Sequence, residues 1–298
     1  MKNILTYILI TFTIFAFSQV KGTVIDKNTN IGIAYINIWI ENENIGTTSN
    51  EKGEFTLNIN DKSKTIIFSG IGYQTKKVEI EIFNETIKLK PLITELPEVN
   101  IISKKETKEL SVDNFRKSKK TSSFATSSTP WMIGKFFPYK NQYKETSFIK
   151  KFIILTRSRI KNAKFSIRLY TKGKDGKPNE FLYGNSIFGI AKKGKKKTEI
   201  DVSELNIQFP KDGFFIVTEW LIIDSNKYKY TYNMMGSKEK HFGVSYEPTF
   251  VTIPKDTGEN SWIYTKGKWK KVWRNSDKTL RSYKGRYNQI AVELILTN

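Results

Sequence analysis

The sequence predicts an all-β protein, a small sandwich followed by a larger jelly-roll-like one. Three observations carry that expectation. Apolar residues recur at a spacing of two in short runs, the signature of strands with one buried face. Gly, Asn, Asp and Pro clusters separate those runs at intervals of roughly eight to twelve residues, as in sandwiches. Helical periodicity is nearly absent, apart from a stretch around residues 106–115 where a short helix fits.

Taken in order, Lys2 and Asn3 precede a largely apolar run from Ile4 to Phe17, which ends in Ala16-Phe17-Ser18 before Gln19. A positive start, an apolar stretch and small residues three and one before a cut describe a secretory signal peptide, residues 1–18. The run is shorter than the roughly 20 apolar residues of a spanning helix. The best later segment, residues 214–223, carries Glu219 and is too short to span as well. Export is therefore expected, to the periplasm, the outer membrane or the cell surface.

Residues 19–90 read as strands and turns. Val20 to Ile25 lead into Asp26-Lys27-Asn28-Thr29-Asn30, which is turn chemistry. Ile36, Ile38 and Ile40 alternate with Asn37, Trp39 and Glu41, a half-buried strand. Glu51-Lys52-Gly53 turns the chain before Phe55, Leu57 and Ile59, and Gly70-Ile71-Gly72 breaks the β-branched run 65–69. Val78, Ile80 and Ile82 then alternate with charged residues. About seven strands in so short a stretch suit a small sandwich.

The ordered set Val20-Lys21-Gly22-Thr23-Val24-Ile25-Asp26, Ala34-Tyr35-Ile36-Asn37-Ile38, Glu51-Lys52-Gly53-Glu54-Phe55 and Phe68-Ser69-Gly70-Ile71-Gly72-Tyr73 resembles the carboxypeptidase regulatory-like domain. Ile33 stands where that family usually has Pro, which touches a turn and no chemistry. The resemblance implies a seven-stranded, transthyretin-like sandwich without catalytic residues, common at the N-terminus of exported Bacteroidetes proteins, many TonB-dependent receptors among them. Residues 91–101 resemble the segment that joins this domain to a receptor plug. The residues that remain lack the long series of amphipathic strands of a transport barrel. Residues 91–129, Lys/Ser/Thr-rich from 103 onward, read as a linker.

Residues 130–298 continue the β pattern. Residues 148–156 form an apolar run; Phe165, Ile167 and Leu169 alternate with Lys164, Ser166 and Arg168. Residues 214–223, apolar on both faces, suit a central buried strand. Lys266-Gly267 punctuates a hairpin between 261–265 and 268–273, and Ile290, Val292, Leu294 and Leu296 share one face of a closing strand.

Composition narrows the chemistry. The chain has 50 Lys+Arg against 29 Asp+Glu, a formal charge of +21 over 298 residues, with one His and no Cys. Thiolate zinc, iron–sulfur clusters, cysteine nucleophiles and multi-histidine metal sites are excluded, and no cofactor is expected. The charge is uneven. Residues 1–100 hold ten Lys and eleven acids, a balance of −1, so the remainder holds 40 bases and 18 acids, a balance of +22. Every Arg lies in that second part.

Three constellations compete for function. The first is the basic run Lys192-Lys193-Gly194-Lys195-Lys196-Lys197, a phosphate or acidic-glycan grip if not simply a solvated loop. The second is aromatic: Trp262, Tyr264, Trp269, Trp273, Tyr283 and Tyr287, interleaved with Lys and Arg, offer rings that stack on sugars unless they are core. The third is Glu219 in the most apolar strand; a hydrolase would need a second carboxylate such as Asp201, Asp224 or Glu293, and pairing with Lys or Arg is the plainer alternative. His241 receives no role. The expectation is an exported, non-enzymatic binding or scaffold protein of the cell envelope. Its ligand-binding candidates are Trp262, Tyr264, Trp269, Trp273, Lys193, Lys195, Lys196 and Lys197, and its partner an acidic or phosphorylated glycan or lipid, or an outer-membrane protein, rather than nucleic acid. The alternatives are a polysaccharide hydrolase using Glu219 and an accessory subunit of a TonB-linked outer-membrane complex.

Overall fold

The computed structural model describes residues 18–92, 106–116, 121–276 and 280–298, except 60, 62, 235, 237 and 238. The expected signal peptide lies outside them but for Ser18, and so do residues 93–101 of the stretch that resembles the connector to a receptor plug.

The first unit comprises β1 (Ser18–Asp26), β2 (Asn37–Ile40), β3 (Gly46–Thr48), β4 (Glu54–Ile59), β5 (Thr65–Ser69), β6 (Lys76–Glu79) and β7 (Thr86–Leu89). They form two sheets, in the orders β4-β1-β7 and β3-β2-β5-β6. All pairs are antiparallel except β1 with β7. Along β4 every second residue is buried, placing Phe55, Leu57 and Ile59 inside and Glu54, Thr56 and Asn58 outside. These side chains meet Val24, Ile38, Phe68 and Leu89 between the sheets. Gly53 holds φ +83°, and its Cβ position lies 2.4 Å from the Val24 carbonyl oxygen. The turn before β4 is thus closed to any side chain.

The remaining described strands open with β8 (Glu109–Val112), β9 (Ser123–Thr126), β10 (Met132–Phe137), β11 (Phe148–Ser158) and β12 (Ala163–Lys172). They continue with β13 (Pro178–Phe181), β14 (Ile187–Ala191), β15 (Gly194–Asp201), β16 (Phe214–Trp220) and β17 (Lys227–Asn233). The last are β18 (Lys240–Lys255), β19 (Ser261–Thr265), β20 (Lys268–Lys271), β21 (Tyr287–Ile290) and β22 (Val292–Thr297). Helical structure among the described residues is limited to short 3₁₀ turns.

One sheet runs β13-β12-β16-β10-β19-β20, with β14 also on β12. The other runs β17-β18-β11-β22-β8, with β15 also on β11 and β9 and β21 on β18. Phe165, Ile216 and Trp220 of the first pack against Phe152, Phe250, Val292 and Leu294 of the second. Phe250 meets both Phe165 and Trp220 edge-on, at 5.2 and 4.6 Å between ring centroids. β16, expected as central and doubly buried, is buried at all seven positions. Lys266 (φ +52°) and Gly267 (φ +74°) turn the β19–β20 hairpin with two left-handed residues, as a two-residue turn requires.

Four expectations are corrected. The stretch 91–129, read as linker, contributes β8 to the edge of one sheet and β9 to β18. Val112, Phe115 and Phe124 are its apolar anchors, all buried. No helix forms at 106–115; residues 109–112 pair with β22 instead. The closing strand is two: at Ala291 the chain leaves β18 for β11. And β2 is buried on both faces, Asn37 and Trp39 included, because its outer face is covered by the second unit.

Candidate functional site

Glu219 lies in β16 beside Arg168 of β12, Nε to Oε2 at 2.7 Å, with both side chains almost wholly buried. Its other oxygen accepts from the Asn37 amide, which comes from the first unit. Asn37 Oδ1 in turn accepts from the Thr48 hydroxyl at 2.9 Å, and Thr48 Oγ1 accepts from the Ile222 backbone N–H at 2.9 Å. A buried polar chain thus runs from one unit to the other. Burial pushes the Glu219 carboxyl up, while Arg168, Asn37 and Ser166 draw it back. With a permanent guanidinium at hydrogen-bond distance the pair is ionic. Glu219 therefore closes an interface.

The carboxylates considered as its partners stand elsewhere. Glu293 binds Lys197 at 2.9 Å and the Ser111 hydroxyl at 2.7 Å. Asp201 accepts from the Ser203 backbone N–H at 2.9 Å. Asp224 lines an open cleft of about 770 Å³ between the units, with Tyr35, Glu51 and Tyr246.

Among the aromatics, the register brings together what spacing suggested. Trp262 faces Lys271 and Tyr264 faces Trp269 across the hairpin. They join Met132, Phe136, Tyr170 and Phe215 in a cluster on the sheet's outer side. Trp262 is buried and the Lys271 ammonium lies 5.2 Å from its ring centroid, while Trp39 of the first unit meets Tyr264 edge-on at 6.0 Å. Burial pushes the Tyr264 phenol up to about 12. These rings serve packing, much of it between units. Trp273 stands apart, 57% exposed, with one edge on Phe124. Tyr283 is buried and donates to the Thr252 carbonyl at 2.5 Å.

The basic run is not one loop. Lys192 and Lys193 are exposed at the turn, and Gly194 (φ +93°) starts β15, where Lys195, Lys196 and Lys197 pair with Arg157, Thr156 and Leu155. Alternation parts their side chains. Lys197 turns in to Glu293, its ammonium 4.7 Å from the Phe115 ring centroid.

The β17–β18 hairpin holds a further array that was not singled out. Tyr228, Tyr230 and Tyr232 share one face of β17, with successive centroids 6.2 and 6.1 Å apart. Across the hairpin they oppose Ser245, Gly243 and His241. A Cβ on Gly243 would lie 2.5 Å from the Tyr230 ring, so that ring rests on bare backbone. The Arg159 guanidinium lies 4.8 Å from the Tyr228 centroid and 5.2 Å from that of Tyr230. Its Nε is 3.3 Å from Glu247, itself 1% exposed. Burial pushes the Glu247 carboxyl up, against Arg159, Ser245 and nearby backbone N–H groups. His241 Nε2, Ser245 Oγ and both Glu247 oxygens are buried without an aligned hydrogen bond. The signal was the alternation Lys227-Tyr228-Lys229-Tyr230-Thr231-Tyr232; Arg159 and Glu247 are distant in sequence.

Residues 20–101 match the family model of the CarboxypepD_reg-like domain, in agreement with the two-sheet β-sandwich of the first unit. No curated protein matches the chain.

Proposed function

We propose that this is an exported, non-enzymatic binding protein of the cell envelope. Residues 19–90 act as a docked spacer, and residues 130–298, with the strands that precede them, act as an adhesive for acidic glycans or other polyanions. The observation that carries this reading is the charge division, −1 over residues 1–100 against +22 over the rest. Such an excess on one sandwich raises the local concentration of polyanions by a long-range, salt-screened attraction. Two features support it. Glu219, the best acid/base candidate in the sequence, has both oxygens engaged inside an interface. The CarboxypepD_reg-like domain brings no catalytic residues.

A titration of polygalacturonate against the protein at rising NaCl tests the reading. Binding at low ionic strength that weakens steeply with salt is expected. No binding at low salt overturns it. Fractionation of the source cells with protease shaving tests the envelope half, which a cytoplasmic pool would sink.

A further inference from the structure

The β17–β18 hairpin combines three features on one face. Tyr228, Tyr230 and Tyr232 form a continuous row, and the outermost ring, Tyr232, is 46% exposed. Arg159 is held over the row by a carboxylate buried to 1% exposure, while its own side chain remains 44% exposed. Gly243 is the third, since any side chain there would lift Tyr230 off the sheet.

We infer that this face binds an anionic polysaccharide, two or three sugar rings lying along Tyr230 and Tyr232 with an acid substituent on Arg159. The inference rests on the adhesive reading above and assigns it a site. Sugar rings present C–H faces that pack on flat aromatics. A row of rings at 6.2 and 6.1 Å steps is longer than one sugar and suits consecutive units of a chain. The anchored guanidinium presents a fixed fork to a carboxylate or sulfate. Lys227 and Lys229 alternate to the opposite face of β17, so they add to the general field and not to the site.

Binding of polygalacturonate, neutral dextran and anionic phosphatidylglycerol vesicles by the full chain separates the possibilities. Tyr232→Ala and Arg159→Gln should each weaken polygalacturonate binding about tenfold or more, leaving vesicle binding unchanged. Both positions are solvent-reachable, and an unchanged melting temperature verifies that the variants fold. Lys192→Gln/Lys193→Gln, a charge control away from the hairpin, should lower affinity only slightly. If the two hairpin variants bind polygalacturonate as well as the parent, the site is wrong and the adhesive reading stands. If they lose vesicle binding instead, the hairpin is a membrane contact and the inference falls. If the parent binds no polyanion, the adhesive reading falls with it.

Discussion

Removing the Glu219 carboxylate leaves the Arg168 guanidinium buried at 3% exposure without its counter-charge. Glu219→Ala should therefore destabilise the fold by about 3–5 kcal/mol in a denaturant titration, whereas replacing both partners together, Arg168→Met with Glu219→Leu, should recover most of that. An additive double variant would mean the two side chains do not act as a pair. Lys135 carries a different liability. It is fully buried, with Asp113 at 2.9 Å and the Val292 carbonyl at 2.7 Å, and burial, outweighing Asp113, brings its ammonium down to about 8. Between that value and the ordinary lysine range the unfolded chain binds more protons than the folded one, so stability rises with pH across that window. The penalty below pH 8 is of the order of 3 kcal/mol, taking about 1.4 kcal/mol per pH unit. Melting curves of the parent and Lys135→Met between pH 7 and 10.5 check this; the parent should gain on the variant as pH rises, and parallel curves would refute it.

At the scale of elements, what could be read from the sequence depended on whether one face of a strand meets solvent. β4 does, and its alternation of Glu54, Thr56 and Asn58 with Phe55, Leu57 and Ile59 is visible as a period of two. β2 and β12 do not. Asn37 and Trp39, or Ser166 and Arg168, look like a wet face but are covered by a partner unit more than 100 residues away in the sequence. The same blindness made a linker of 103–129. Its strands are short and its anchors few, so composition hid a segment whose Phe115 is 5% exposed under the Lys197 ammonium. Phe115→Ala should lower stability by about 3 kcal/mol, as for a core phenylalanine. A change within a few tenths, as for a tether, would show that Phe115 does not anchor this segment. The Tyr hairpin escaped notice for a related reason. Tyrosines at spacing two are ordinary strand residues, and only register places Arg159, Gly243 and Glu247 around them.

At the scale of the molecule, a buried polar chain joins the two units, with partly exposed contacts around it. Asn37 and Thr48 of the first unit close the polar chain from Glu219 to the Ile222 N–H. Around it, Lys164 donates to the Tyr35 hydroxyl at 2.7 Å, the Thr129 hydroxyl donates to the Asn44 carbonyl, and Trp39 packs on Tyr264. Most of these contacts are polar, which favours one relative orientation over many, because a shifted interface would strand Glu219 and Asn37 without partners. A spacer built this way holds the basic sandwich in one attitude. Asn37→Asp tests the idea with a minimal change of shape: it sets a second carboxylate against Glu219 and removes the amide donor, so two like charges compete for one guanidinium. The parent should unfold in a single calorimetric transition and the variant in two. Should the variant retain one transition, contacts other than the buried chain couple the units; two transitions already in the parent would show that the first sandwich hangs from the second as an independent domain.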